Sequence, residues 1–141
     1  MATWNSVVRW SEVDAAGIIY HAHVFDWFSE ARIAWLRQHQ LDYYTVLRSV
    51  NLELLVKKAE AEFSYALQLG DEIRVVARLT EISATRCTFR YHIDVPQNPD
   101  KYAIVGSTAH AFVVDGRAKR LDRYAPEILQ RFREASMKEA G

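Results

Sequence analysis

The stretch Val8 to Trp35, VRWSEVDAAGIIYHAHVFDWFSEARIAW, decides how the rest of the chain is read. It opens as a strand-like segment and turns through Asp14, Ala15, Ala16 and Gly17. It then runs by way of Ile18, Ile19 and Tyr20 into a helical pattern. From about His23 to Gln38 the apolar residues Val24, Trp27, Phe28, Ala31, Ala34 and Trp35 recur at steps of three and four, with Asp26, Ser29, Arg32 and Arg37 between them. Phe25, Ile33 and Leu36 widen this stripe beyond one face, which predicts a helix wrapped by other structure. A carboxylate on a tight loop just ahead of a helix N-terminus stands beside main-chain N–H donors and the positive end of the helix dipole. Acyl-transfer chemistry uses such a juxtaposition, because negative charge develops on the reacting carbonyl oxygen.

Outward from this stretch, Thr3 to Trp10 reads as a first strand and Ser11 to Gly17 as the loop. Leu41 to Val50 predicts a short second helix with Asp42 near its start. Four strand-like segments follow at Leu54–Tyr65, Ile73–Thr80, Arg86–Val95 and Ala103–Val114. Within them Val75, Ala77 and Leu79 alternate with Arg74, Val76 and Arg78, and Phe89, Tyr91 and Ile93 alternate with Arg90 and His92. Gly70-Asp71, Pro96 to Asp100 and Asp115-Gly116 supply the turns, and Ala125 to Lys138 reads as a C-terminal helix. Strand, long helix, then strands in hairpin-like succession predict an α+β fold whose antiparallel sheet curls around one central helix. Neither a repeat nor a linker interrupts the pattern, so residues 1–141 are read as a single domain.

Composition narrows the function classes. Eighteen basic and eighteen acidic residues give no net charge, so no electrostatic case for nucleic acid or an acidic membrane surface arises. Neutrality also favours self-association. Half of the residues are hydrophobic and Pro and Gly are sparse, which excludes a disordered or fibrous chain. The single cysteine, Cys87, excludes an internal disulfide and fits a reducing compartment. MATWNSVVRW has no basic region followed by an apolar run, and no segment approaches the ~20 apolar residues of a membrane span. A soluble cytoplasmic domain, with no membrane partner, is expected.

Asp14-Ala-Ala-Gly-Ile-Ile-Tyr-His-Ala followed by Trp27-Phe-Ser-Glu-Ala-Arg32 resembles the hotdog-fold acyl-CoA thioesterases of the 4-hydroxybenzoyl-CoA thioesterase family. The segments AEAEFSYALQLGDEIRV (Ala59 to Val75) and AFVVDGRAKRL (Ala111 to Leu121) resemble its strand motifs less specifically. The resemblance implies the hotdog fold, an acyl-CoA substrate, no cofactor, and a homo-oligomer whose subunits pair into a dimer, often doubled into a tetramer. It places Asp14 at the catalytic aspartate, as nucleophile or as base for a water, Gly17 at the tight turn, and His21 where a main-chain N–H holds the carbonyl oxygen. Tyr20 and His23 would then border the acyl group, and Arg86 matches one position of a basic cluster that holds CoA phosphates. The chain departs from the family pattern at Glu12, where Asp is usual, at Val13, where Thr or Cys is usual, and at His23, where Asn or Ser is common.

Plainer readings compete at each position. Asp14 out of context is a turn or capping residue, and Gly17 needs only a left-handed conformation. His21 and His23 form an H-x-H pair, but His92 and His110 lie on separate strands, so no metal is expected. Glu30 reads as a solvated or salt-bridged helix residue with Arg32 as its partner, or Arg32 as an interface residue. Cys87 on a strand reads as a small hydrophobe. Lys57, Lys58, Arg117, Lys119 and Arg120 suit a solvated surface as well as a phosphate site. Two other activities share the fold: a hydratase or dehydratase on acyl thioesters, pairing His21 or His23 with Asp14 or Glu30, and a non-catalytic acyl-CoA binding module. The acyl group itself is left open between an aromatic hydroxybenzoyl or hydroxynaphthoyl unit and a short or medium aliphatic chain.

Overall fold

The computed structural model describes residues 1–140. Strand β1 (Ala2–Val7) leads through a 3-10 turn (Trp10–Glu12) into helix α1 (His23–Gln38). A π-type turn (Tyr43–Leu47) follows, then β2 (Leu52–Phe63), β3 (Glu72–Ile82), β4 (Arg86–Asp94), β5 (Ile104–Val114) and β6 (Arg117–Ala118). The chain closes with a single turn, α2 (Leu121–Tyr124), and helix α3 (Pro126–Ala140). The strands form one antiparallel sheet in the order β1-β3-β4-β5-β2, with β6 beside β5. This is the sheet wrapped around a long helix that the resemblance implies.

The helix is held by its apolar faces. Val24, Trp27, Phe28, Ala31, Trp35 and Leu36 of α1 are buried. Trp35 meets Phe89 of β4 edge-on at 5.0 Å and stacks on Phe132 of α3 at 6.2 Å. Phe28 stacks on Tyr91 at 4.3 Å, and it sits so close to β5 that a Cβ on Gly106 would lie 2.6 Å from its ring. Burying such side chains contributes roughly 1.5–3 kcal/mol each, which is why α1 needs no side-chain cap at Ala22.

Three expectations change. The first strand ends at Val7, not Trp10: Val8 N–H bonds to Asp71 O at 2.8 Å, and the chain then tightens so that Trp10 stands exposed. The C-terminal helix begins at Pro126, whose fixed φ and missing N–H suit a first helical position, with α2 set off before it. Most consequential, β3, β4 and β5 follow one another as hairpins but β2 and β3 do not. β2 pairs with β5 on the far side of the sheet from β3, so residues 64–71 must cross between them.

β2 is also irregular. Its register against β5 shifts between Val56 and Lys58, leaving Lys57 as an extra residue in a β-bulge. Alternation along the strand places Leu52, Leu54 and Val56 on the inner face before the bulge and Ala59, Ala61 and Phe63 after it, opposite the even-numbered residues of β5. Leu52 is buried, whereas Val56 is 47 % and Phe63 46 % exposed. The inner row of this edge strand is therefore apolar and largely uncovered by its own chain.

Candidate active site

The loop ahead of α1 is built by main-chain hydrogen bonds. Asp14 N–H bonds to Ile18 O at 2.8 Å and Gly17 N–H to Asp14 O at 3.0 Å, with Gly17 at φ +78°, a conformation glycine adopts without cost. The Asp14 carboxylate accepts from Ala16 N–H at 2.9 Å and Ile18 N–H at 3.3 Å, both through Oδ1. Oδ2 accepts no hydrogen bond among the described residues, and the side chain is exposed in the single chain. The crossing segment holds the loop from the other side: Ile19 N–H bonds to Leu67 O at 3.0 Å and Leu69 N–H to Gly17 O at 3.1 Å.

Glu12 anchors the loop to the core. Its carboxylate accepts from Trp27 Nε1–H at 2.7 Å, Arg9 N–H at 2.8 Å and the Arg9 guanidinium at 2.9 Å, while only 4 % of the residue is exposed. Burial opposes its ionisation, but the Arg9 and Trp27 hydrogen bonds outweigh that and hold the carboxyl down at about 2. Tyr20 N–H bonds back to the main-chain carbonyl of Glu12 at 2.9 Å, so this residue fixes both ends of the Asp14 loop relative to α1, one through its side chain and one through its backbone. The sequence flags Glu12 only as a departure from a pattern; its partner Trp27 lies fifteen residues away.

At the start of α1 the first helical bonds are His23 N–H to Tyr20 O (3.0 Å) and Val24 N–H to His21 O (3.2 Å). The main-chain N–H groups of His21 and Ala22 have no acceptor among the described residues. They are the orphan donors of a helix start, where the dipole favours negative charge. A cavity of about 240 Å³, lined by Ile18, Ile19, His21, Phe63, Ser64 and Tyr65, opens here between the loop and the end of β2. Tyr20 is half exposed, with its ring centroid 4.7 Å from that of His21 and 5.9 Å from that of His23.

The structure thus brings Asp14, Gly17, Tyr20, His21 and His23 together at one end of the sheet. Arg86 lies at the other. It pairs with Ala111, and the seven steps from Ile104 to Ala111 span roughly 23 Å of β5. There Arg86 borders a separate cavity of about 260 Å³ with Lys57, Thr85 and His110. The His–carboxylate contact at the helix start is His23 Nδ1 with Asp26 Oδ2 at 3.3 Å on the exposed side, not a pairing with Asp14 or Glu30. Burial pushes the Cys87 thiol up to about 12, which leaves no thiolate near neutral pH.

Arg32 does not pair with Glu30, since residues two apart on a helix point to different sides. Its Nη1 donates to Tyr91 Oη at 3.0 Å and Thr108 Oγ1 at 3.5 Å, and its Nη2 donates to Ser29 Oγ at 3.2 Å. Behind them Tyr91 Oη and Thr108 Oγ1 lie 2.6 Å apart, and Thr108 Oγ1 is 2.8 Å from His110 Nε2. Burial, aided by the Arg32 charge, pushes the His110 imidazole down to about 4, so the ring is neutral at pH 7. No sequence spacing marks this cluster, because it joins α1, β4 and β5 across the fold.

Three comparisons with known proteins bear on this geometry. The family model described as the thioesterase-like superfamily matches residues 8–132. A 1,4-dihydroxy-2-naphthoyl-CoA hydrolase of Crocosphaera subtropica is 26 % identical over 111 residues, covering 79 % of this chain and 81 % of its own. The acyl-CoA thioesterase YbgC of Haemophilus influenzae is 27 % identical over 86 residues, covering 61 % and 63 % respectively. Among solved structures, the DHNA-CoA thioesterase of Staphylococcus aureus superposes with a TM-score of 0.88 at 20 % identity, over 96 % of this chain and 91 % of that one.

Proposed function

This chain belongs to the thioesterase-like superfamily, and we propose that it hydrolyses an acyl-CoA thioester to the free acid and CoA, with Asp14 as nucleophile or general base. The observation that carries this reading is the pairing of an unengaged Asp14 Oδ2 with uncommitted N–H groups of His21 and Ala22 at the start of α1. A thioester carbonyl oxygen seated on the His21 N–H is polarised there, and the oxyanion that develops is stabilised by that donor and the helix dipole. As nucleophile, Asp14 attacks the carbonyl carbon, collapse expels the CoA thiolate, and water cleaves the resulting anhydride. As base, Asp14 takes a proton from the water that attacks directly. The apolar cavity bounded by Ile18, Ile19 and Phe63 admits an aromatic acyl unit or a short to medium aliphatic chain.

A second copy completes the site in this reading. β2 pairs only with β5 among the described residues, so its outer edge and its apolar inner row are open to an identical strand. Antiparallel pairing of two such edges sets the Phe63 end of one copy against the Leu52 end of the other. The cations Arg86 and Lys57 of the second copy then approach the first copy's Asp14 loop, where CoA phosphates would lie.

The test is thiol release from hydroxynaphthoyl-, hydroxybenzoyl-, butyryl- and octanoyl-CoA by the wild type and by Asp14→Asn. Turnover is expected to fall roughly 10²–10⁴-fold in the variant, with circular dichroism and oligomeric mass retained. A folded Asp14→Asn protein that still turns over overturns the assignment.

A further inference from the structure

Among the described residues nothing balances the charge of Arg32. It is half-buried, forms no ion pair among the described residues, and its hydrogen bonds go to three hydroxyls. Those hydroxyls are themselves committed. His110 Nδ1–H donates to Leu54 O at 3.3 Å, so Nε2 accepts from the Thr108 hydroxyl, and Thr108 Oγ1 in turn accepts from Tyr91. The chain of protons runs from the guanidinium to a main-chain carbonyl without meeting an anion. Of the five guanidinium N–H donors, Nε–H and one on Nη2 have no acceptor among the described residues, and Nε is not sealed from solvent. A cation taken partly out of water is stabilised by a counter-ion that accepts from such a fork.

The position of this charge relative to the reacting centre is set by the fold. Phe25, Ser29 and Arg32 follow one another at helical spacing along a half-buried face of α1. Arg32 lies eleven residues beyond His21, and its side chain leans back toward the helix start, so its charge sits roughly 10–16 Å from the oxyanion donors. On the sheet side, the inner row of β2 runs from Phe63, which lines the cavity at His21, through Ala61 to Ala59. Ala59 is the register partner of Thr108, which touches Arg32. Along β2, the incompletely covered Ala61 and Ala59 therefore lie between the cavity at His21 and the strand position facing Arg32.

We propose that Arg32 is a specificity-determining residue that binds a carboxylate at the distal end of the acyl chain, so that the preferred substrates are CoA monothioesters of dicarboxylic acids. This rests on the acyl-thioester reading of the Asp14 site, and binding and turnover are measured separately to keep the two apart. Affinities of succinyl-, adipoyl- and suberoyl-CoA are compared by calorimetry with those of butyryl-, hexanoyl- and octanoyl-CoA on the Asp14→Asn protein, in which the thioesters persist. One charged ligand is expected to bind about ten- to a hundredfold more tightly than its uncharged counterpart of equal length. Adding Arg32→Met is expected to abolish that ratio, and adding Arg32→Lys, which also serves if the Met variant does not fold, to restore part of it. Equal affinities in the Arg32-bearing protein, or a preference that persists without Arg32, overturn the proposal. So does a crystal structure of the oligomer with a carboxylate of the second copy seated on Arg32. Absence of thiol release by the wild type from every thioester overturns the hydrolase reading instead, and the binding ratios still decide the role of Arg32.

Discussion

The two flanks of the sheet are finished differently. Toward β3 and β4 the inner face is sealed: Val75, Ala77, Phe89 and Ile93 are fully buried beneath α1 and α3. Toward β2 the same face is left open, with Val56 and Phe63 about half exposed and only alanines between them. Both flanks are apolar, so hydrophobicity does not separate them; what covers them does. The sealed flank holds the chain together, and the open flank borders the Asp14 loop and the Arg32 cluster, the two places where uncommitted polar groups gather.

The contrast has measurable consequences. Phe89→Ala, beneath Trp35 on the sealed flank, should cost about 3–5 kcal/mol in denaturant unfolding; a loss under 1 kcal/mol would mean this flank is not the stabilising one. Glu12, the buried carboxylate that ties the loop to that core, comes next. Its folded carboxyl is held at about 2 against an ordinary value of 4.5, so its contribution of about 3 kcal/mol is present above pH 4.5. That contribution fades as pH falls from there toward 2, and Glu12→Gln should flatten this part of the acid-unfolding profile. The smallest effect is expected on the open flank. Phe63→Ala should change the unfolding free energy of the single chain by under about 1 kcal/mol. It should nonetheless weaken self-association in sedimentation velocity, and an unchanged oligomer would place the interface elsewhere.

The long helix and the β3 and β4 strands were legible because their periods are carried by large side chains at regular steps, Trp27, Phe28 and Trp35 in one case and Phe89, Tyr91 and Ile93 in the other. The Asp14 loop was legible because its hydrogen bonds are local, closing within four residues. What escaped was long-range. β2 looks like the first arm of a hairpin, and nothing in residues 64–71 announces that they cross the sheet. Glu12 and Arg32 are ordinary charged residues in sequence; their roles come from Trp27, Tyr91 and Thr108, placed beside them only by folding. Arg86 was placed in a phosphate cluster by resemblance at a single position, and its distance from Asp14 within one chain depends on strand register.

The bulge at Lys57 constrains how this strand can change. Val56 pairs with His110 and Lys58 with Ala109, so Lys57 is surplus to the ladder: deleting it would straighten the strand and leave Ala59, Ala61 and Phe63 facing inward, whereas one further residue between Lys58 and Ala59 would turn all three outward. The strand can thus lose a residue at this one point without changing which side chains it presents, and lineages descended from this chain should shed the bulge more readily than they lengthen it.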